Sequence, residues 1–305
     1  MILGRSLDRP DPRTYNPPMP LAQPQSAGLG FRKMHGLGND FVVLDGRRAP
    51  VRFTPESASA IANRRTGVGC DQILILEPPR NGGDAFIAIR NSDGGQVPSC
   101  GNGMRAVARV LFEETGKDQL TFETLAGPVI ASRAANGQFA VDMGPARTAW
   151  RDIPLAQEKD TLHLGIGEGL LQDPVGVNMG NPHAVFFVKD VSAIDLTAVG
   201  PKIEHHPLFP ERVNVEAVQV IDRGRLRMRV WERGAGITLA CGTGACATVV
   251  AAARRGLADR TAVVTLDGGD LYISWRDDGH VVMTGPAEES FRGTLDAHLS
   301  QGLVS

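Results

Sequence analysis

Apolar and polar positions alternate along most of this chain, and glycine turns interrupt the alternation, which predicts many short strands around a few helices. Phe31 to Leu44 reads as a strand, a turn at Gly36-Leu37-Gly38-Asn39-Asp40, and a second strand from Phe41. Thr54 to Asn63 carries the marks of a short helix, with Thr54 as N-cap and Pro55 in the first helical position. Gln72 to Leu76 and Ala85 to Arg90 are strand-like and lead into the loop Asn91-Ser92-Asp93-Gly94-Gly95. Beyond Cys100 the apolar spacing changes to that of a helix, which stops at Gly116 as a C′ glycine. Leu120 to Phe122, Val129 to Ser132 and Phe139 to Met143 are then expected as hairpin strands around Ala135-Asn136-Gly137-Gln138.

The plan then repeats. Val185 to Val188 and Val213 to Val220 are strand-like, and Leu226 to Trp231 alternates up to the Glu232-Arg233-Gly234 loop. A helix is expected from Cys241 to about Arg255, ending at Gly256, followed by strands at Val263 to Leu266, Leu271 to Trp275 and Val281 to Met283. Landmarks recur at a nearly fixed offset. Cys100-Gly101-Asn102-Gly103 and Cys241-Gly242-Thr243-Gly244 stand 141 positions apart, as do Asn91 and Glu232, and Gly144-Pro145-Ala146 and Gly285-Pro286-Ala287. Gly38-Asn39 and Gly180-Asn181 are 142 apart. Matched points in one order mark two homologous halves. The expected fold class is therefore α+β: two pseudo-symmetric domains, each a mixed β-barrel or half-barrel wrapped around a central helix, not a doubly wound parallel sheet. The expected divisions are a Pro-rich extension over 1–28, a first half over 29–146, a second half over 147–290 whose last strand can cross back to the first, and a tail over 291–305.

Composition narrows the function. A formal net charge of −2 and a pI near 6.4 give no electrostatic footprint for nucleic acid or an anionic membrane. No apolar run approaches the roughly 20 residues of a membrane span. The N-terminal stretch has five prolines between Pro10 and Pro20 and lacks the apolar core of a secretory signal, so an extended segment and a cytoplasmic protein are expected. Cys70, Cys100, Cys241 and Cys246 are too few for a disulfide scaffold. There is no Cys-x-x-Cys, and Cys241 and Cys246 lack both zinc spacing and a nearby histidine pair, so no metal is expected. His205-His206 sits in a Pro-bounded segment and reads as a solvated loop.

Two of the cysteines carry the chemistry. A helix N-terminus presents unpaired backbone N–H groups and the positive end of the helix dipole. Glycines in Cys-Gly-x-Gly let a ligand reach that backbone, making the turn suited to a carboxylate or phosphate, and the same field favours a thiolate. Pseudo-two-fold symmetry brings two such turns onto one small anion, with a sulfur on each face of the neighbouring carbon. One thiolate can take a proton while the opposite thiol gives one, which inverts a stereocentre. Donors around the carboxylate stabilise the enolate-like state between the two transfers. Cys70 and Cys246 lack this context and read as packed small hydrophobes.

These residues resemble the diaminopimelate epimerase family. The matching segments are Lys33 to Phe41, Gly67 to Gln72, Arg90 to Gly94, Cys100 to Arg105, Gly180 to His183, Glu211 to Asn214, Trp231 to Gly234 and Ala240 to Ala245, together spanning nearly the whole chain outside the Pro-rich tail. The resemblance implies cofactor-independent conversion of LL-2,6-diaminopimelate to the meso form, in lysine and peptidoglycan precursor synthesis, by a homodimer. Carried over by motif, Cys100 and Cys241 are the acid–base pair, and His183 and Glu232 tune it. Asn39, Gln72, Asn91, Asn181, Asn214, Glu232 and Arg233 are substrate contacts, and the backbone at Gly101-Asn102 and Gly242-Thr243 cradles the α-carboxylate. Diaminopimelate has an amino acid at each end, so Asn and Arg side chains suit its distal ammonium and carboxylate.

Blander readings stand beside these: Asn39 bonding only its own turn, His183 as a structural imidazole, Glu232 and Arg233 as a surface ion pair. Cys70 departs from the family pattern, which has a small residue there, and is expected to add a third thiol near the site. Alternatives at the level of function are a proline or hydroxyproline racemase-like enzyme, a redox-active dithiol protein, and a non-catalytic carboxylate-binding module. A ring imino acid has no distal zwitterion for Arg233, Asn181 and Asn214 to hold, and a redox protein has no use for duplicated anion cradles.

Overall fold

The computed structural model describes residues 28–303. The extended segment expected over 1–28 lies, apart from Gly28, outside the described residues. The first half runs β1 (Gly30–Gly36), β2 (Asn39–Asp45), α1 (Pro55–Ala62), β3 (Gln72–Glu77), β4 (Ala85–Asn91), β5 (Gln96–Val97), α2 (Gly101–Thr115), β6 (Gln119–Thr124), β7 (Gly127–Arg133) and β8 (Phe139–Pro145). The second runs β9 (Gly167–Glu168), β10 (Leu171–Gln172), β11 (Val175–Asn178), β12 (Pro182–Val188), α3 (Leu196–Glu204), β13 (Asn214–Asp222), β14 (Arg225–Glu232), β15 (Gly236–Ile237), α4 (Gly242–Arg254), β16 (Thr261–Leu266), β17 (Gly269–Trp275) and β18 (His280–Gly285). β19 (Glu288–Thr294) and α5 (Ala297–Ser300) follow.

The duplication holds down to the order of strand pairing. In the first half β1–β2 is antiparallel, β2–β3 parallel, β3–β4 and β4–β5 antiparallel, β4–β6 parallel, and β6–β7 and β7–β8 antiparallel. The series from β11 to β18 repeats those senses one for one. Each half has one helix inside the curl of strands, α2 or α4, and one outside it, α1 or α3. Alternation explains why the strands hold both. Phe41, Val43, Leu74, Leu76, Ile87 and Ile89 pack inward with α2, whereas their neighbours Val42, Leu44, Ile73, Ile75 and Phe86 pack outward with α1. In the second half Val218 joins the α4 core while Val215 and Ala217 face the other way.

The inner helices are buried over most of their length, α4 as a nearly continuous apolar run and α2 with its charged residues gathered toward its C-terminal end and at Arg105 and Arg109. α2 ends on Gly116 at φ +68°, the left-handed cap its sequence predicts. α1 has the expected Thr54 cap, reciprocated by Ser57.

The short elements β5, β9, β10, β11, β15 and α5 add to the alternation-based reading, and α3 and β19 depart from it most. α3 contains Gly200 and Pro201, which mask a helical pattern, yet it packs so closely on Trp231 that a Cβ at Gly200 would stand 2.5 Å from the indole. The expected division at 290 cuts through β19, and the residues after it are not a free tail. β19 pairs with β1, and Leu295 and Leu303 are buried in the outer core of the first half. Among the described residues no helix is long and apolar enough to cross a membrane.

The halves meet along β8–β18 and where the β1–β2 turn abuts the second half. A Cβ at Gly268 would fall 2.0 Å from the carbonyl oxygen of Leu37 and 3.1 Å from that of Leu239. Gly268→Ala is therefore expected to cost about 1–3 kcal/mol through forced separation of these backbones. Thermal unfolding checks it: a Tm equal to the parent's would mean that the two turns are not in contact.

Candidate active site

Both cysteines are N-caps. The Gly103 N–H donates to Cys100 Sγ at 3.4 Å, and the Gly244 N–H donates to Cys241 Sγ at 3.3 Å, one on α2 and the other on α4. A thiol is a weak acceptor, and cysteine is not among the residues that favour helix caps, so the remaining first-turn N–H groups are weakly committed. Side chains crowd the glycines of both turns. A Cβ at Gly101 would meet Met143 at 2.6 Å and Met283 Cε at 2.8 Å, and one at Gly242 would meet Met283 Sδ at 2.9 Å and Asn102 Oδ1 at 3.0 Å. Met283 and Asn102 thus touch both helix starts, which places the two turns side by side across the boundary between halves.

Glu232 ends β14 and faces both thiols. It accepts a hydrogen bond from the Thr238 hydroxyl, and its charge acts on both Cys241 and Cys100. Burial pushes its carboxyl up, and the Thr238 hydrogen bond opposes the rise. Burial also pushes up the Cys100 thiol; the Gly103 N–H and Arg105 pull it back, and the Glu232 charge raises it further. For Cys241 burial, Glu232 and Glu216 all push upward, and Thr243 and Gly244 oppose them, leaving the thiol well above its ordinary range. Both sulfurs are thus held as thiols at neutral pH in this arrangement.

His183 is fully buried on β12, with Nδ1 2.6 Å from Glu216 Oε1 and Nε2 2.9 Å from Asn181 Oδ1. The strand pairing sets His183 beside Asn214, so Asn181, His183, Asn214 and Glu216 form one cluster at the start of β12 and β13. Glu216 was not singled out in the sequence. Its signal was a carboxylate two residues after Asn214 inside an otherwise apolar strand, which alternation puts on the face toward α4. A Cβ at Gly244 would lie 2.9 Å from Glu216 Oε1, so the carboxylate sits beneath the Cys241 turn.

The amides form linked pairs. Asn102 Nδ2 donates to Asn39 Oδ1 at 3.2 Å, Gln72 Nε2 donates to Asn91 Oδ1 at 3.0 Å, and Asn214 Nδ2 donates to the Pro182 carbonyl at 2.9 Å. Asn39 does not close its own turn: its Nδ2 donates to Asp71, which Arg64 ties to Asp40. Burial alone would raise the Asp40 carboxyl, but Arg64 and Lys33 hold it well below the carboxylate range. Nor do Glu232 and Arg233 pair. The Arg233 N–H donates to Asn214 Oδ1 at 2.9 Å, and its exposed guanidinium donates to the Glu211 carbonyl at 3.0 Å.

Four buried side-chain atoms among the described residues have no hydrogen-bond partner within the protein: Gln72 Oε1, Asn102 Oδ1, Arg105 Nη2 and Glu216 Oε2. All four belong to this cluster or adjoin it. Buried polar groups are normally satisfied, so their gathering here marks a place built for a polar ligand. Cys70 is 2 % exposed, packed with α1 on the outer face of the sheet, and burial pushes its thiol up to about 11. Cys246 is buried inside α4. Among the described residues no group of three His, Cys, Asp or Glu side chains is placed to hold a metal ion.

A duplicated half-barrel of this kind is shared with solved structures. A Bacillus anthracis phenazine biosynthesis protein of the PhzF family superposes with a TM-score of 0.65 at 16% identity over 89% of this chain and 100% of its own. A probable proline racemase from Agrobacterium radiobacter superposes with a TM-score of 0.63 at 16% identity over 88% and 93%. At such identities the likeness is one of fold. Sequence similarity goes further: the family model for diaminopimelate epimerase matches residues 31–149 and 175–289. Diaminopimelate epimerases from Rhodospirillum centenum and Acidiphilium cryptum are 56% and 50% identical to this chain, each over 89% of it and over 94% and 98% of their own lengths. The chain belongs to the diaminopimelate epimerase family of isomerases.

Because the Glu232 charge raises both thiols, Glu232→Gln is expected to lower the pH at which Cys241 and Cys100 become reactive, Cys241 the more. Rates of iodoacetamide alkylation, resolved by peptide mass spectrometry across pH 6–10, check the sign; unchanged or slower alkylation of both would show that the carboxylate does not act on them.

Proposed function

We propose that this protein converts LL-2,6-diaminopimelate to meso-2,6-diaminopimelate by proton transfer at one α-carbon between Cys100 and Cys241. The observation that carries the reading is the pair of cysteine-capped helix starts lying side by side, with Met283 and Asn102 against both. The α-carboxylate of the substrate is received by backbone N–H groups at Gly101-Asn102 and Gly242-Thr243, where two helix dipoles converge. Those donors stabilise the negative charge that spreads onto the carboxylate when the α-proton leaves. A thiol on each side of the carbon supplies one base and one acid, so no cofactor is needed for either transfer.

The electrostatics support activation by the substrate itself. In the protein alone, burial and Glu232 keep both sulfurs protonated. An α-ammonium arriving beside Glu232 offsets the charge that disfavours the thiolate at Cys241 and Cys100. His183, fixed by Glu216 and Asn181, keeps the wall beside Cys241 in one geometry. Asn39, Gln72, Asn91, Asn181, Asn214 and Arg233 provide the mixed donors and acceptors that a second, unreacting amino-acid group requires. We assign the activity to the cytoplasm and to a homodimer, on the family resemblance.

The test is α-proton exchange in D2O under reducing conditions, with parent, Cys100→Ala and Cys241→Ala proteins and LL-diaminopimelate. The parent should incorporate deuterium and form the meso isomer, and each variant should lose epimerisation by about 10²–10⁴-fold, the usual worth of a general acid or base. Exchange of proline with diaminopimelate untouched would transfer the reading to an imino-acid racemase. No exchange at all would remove the enzymatic reading.

A further inference from the structure

Arg105 lies in α2 just past the Cys100 cap, and none of its side chain is exposed. Its Nε–H donates to the Pro286 carbonyl at 3.2 Å, its Nη1 lies 3.2 Å from Met283 Sδ, and its Nη2 has no partner among the described residues. Other deeply buried charged groups are compensated. Lys33 meets Asp40, His183 meets Glu216, and Glu123 accepts three backbone N–H groups. Among the described residues no carboxylate approaches the Arg105 guanidinium. A carbonyl and a thioether are poor substitutes, so this cation is held at a real cost to stability.

Its position says what that cost is for. Met283, the side chain that takes the Nη1 contact, is also the one against which Gly101 and Gly242 are packed, so one thioether separates the guanidinium from both helix starts. The residue equivalent to Arg105 on α4 is Cys246, 141 positions on, so the charge has no mirror image. The ionisable groups facing Arg105 are Cys100 on its own helix and Cys246 on α4; Glu232 faces Cys100 from β14. Burial lowers the guanidinium to about 10, which leaves it charged at neutral pH. A full charge in a poorly screened interior acts over such distances, adding to the partial charges of the two helix ends.

We propose that Arg105 is a fixed, deliberately unpaired cation that stabilises negative charge at Cys100 and at the carboxylate cradle, supporting the reaction through its field without touching the substrate. The proposal deepens the reading of this site as a two-thiol epimerase and rests on it for its catalytic part. The competing account makes Arg105 a clamp that secures the turn after β18 through the Pro286 carbonyl.

Two variants separate these accounts. Arg105→Met removes the charge. Cys246→Asp keeps the guanidinium in place and offers it a carboxylate. For each, the alkylation of Cys100 is followed against pH, with Tm and the epimerisation kcat. Alkylation needs no substrate, so a parent protein that shows no epimerisation counts against the proposed reaction and leaves the field effect measurable. Arg105→Met should alkylate at Cys100 about tenfold more slowly at pH 7, with the profile moved to higher pH, kcat lowered at least about tenfold and Tm equal or higher. Cys246→Asp should fold, because its carboxylate meets an unpaired cation, and should show the same slowing. The proposal is overturned if Arg105→Met lowers Tm while Cys100 alkylation is unchanged, or if Cys246→Asp fails to fold or leaves alkylation unchanged. Should Arg105→Met not fold, the Cys246→Asp result decides alone.

Discussion

Everything in this molecule serves one arrangement: two buried helices that begin at the same place. A helix start cannot be buried without partners for its first N–H groups, and here the partners supplied are two thiols, each accepting one long hydrogen bond from a backbone N–H. The strands curled around α2 and α4 fix where those starts lie. The glycines that follow each cysteine are required because Met143, Met283 and Asn102 leave no room for a Cβ. Shape and reactivity therefore have one origin, since the same crowding that excludes side chains leaves the backbone donors bare.

The repeat is faithful in backbone and broken in charge. Gln72 and Asn214 stand 142 positions apart at the starts of β3 and β13, extending the series Asn39 with Asn181 and Asn91 with Glu232. At the positions of His183, Glu216 and Glu232 in the second half, the first half has Phe41, Leu74 and Asn91. Gly103 packs on Leu74 as Gly244 packs on Glu216. Glu216 and Glu232 thus lie on the Cys241 side, and the buried Arg105, which meets no carboxylate among the described residues, on the other. Two thiols in matching backbone settings are thereby given chemically unequal surroundings.

Most of this was legible in the chain because the signals were local or repeated. Thr54, Gly116 and the alternating runs announce their own elements, and a motif met twice at one offset identifies its cysteines without an alignment. What stayed hidden depended on contacts between distant segments. α3 needed Trp231 to justify Gly200, and the outer burial of Leu295 and Leu303 depends on β1 and α1. Glu216 and Arg105 sit in apolar patterns where a charge looks like an exception; only the folded structure brings up the neighbours that each one meets. The blander readings of Asn39 and Arg233 likewise fell to partners, Asp71 and Glu211, that spacing alone does not select.

The pairing of β19 with β1 has a consequence for how the chain is made. Residues 30–36 are made early in synthesis, yet one of their two neighbouring strands is residues 288–294. β18 likewise supplies the partner that completes the outer edge of β8. The half that is translated first is therefore the half that is finished last, with open strand edges until the whole second copy has emerged. A duplicated gene product of this design cannot be read out as two independent folding units, and the two cysteine turns come to face each other only as the chain closes on its own beginning.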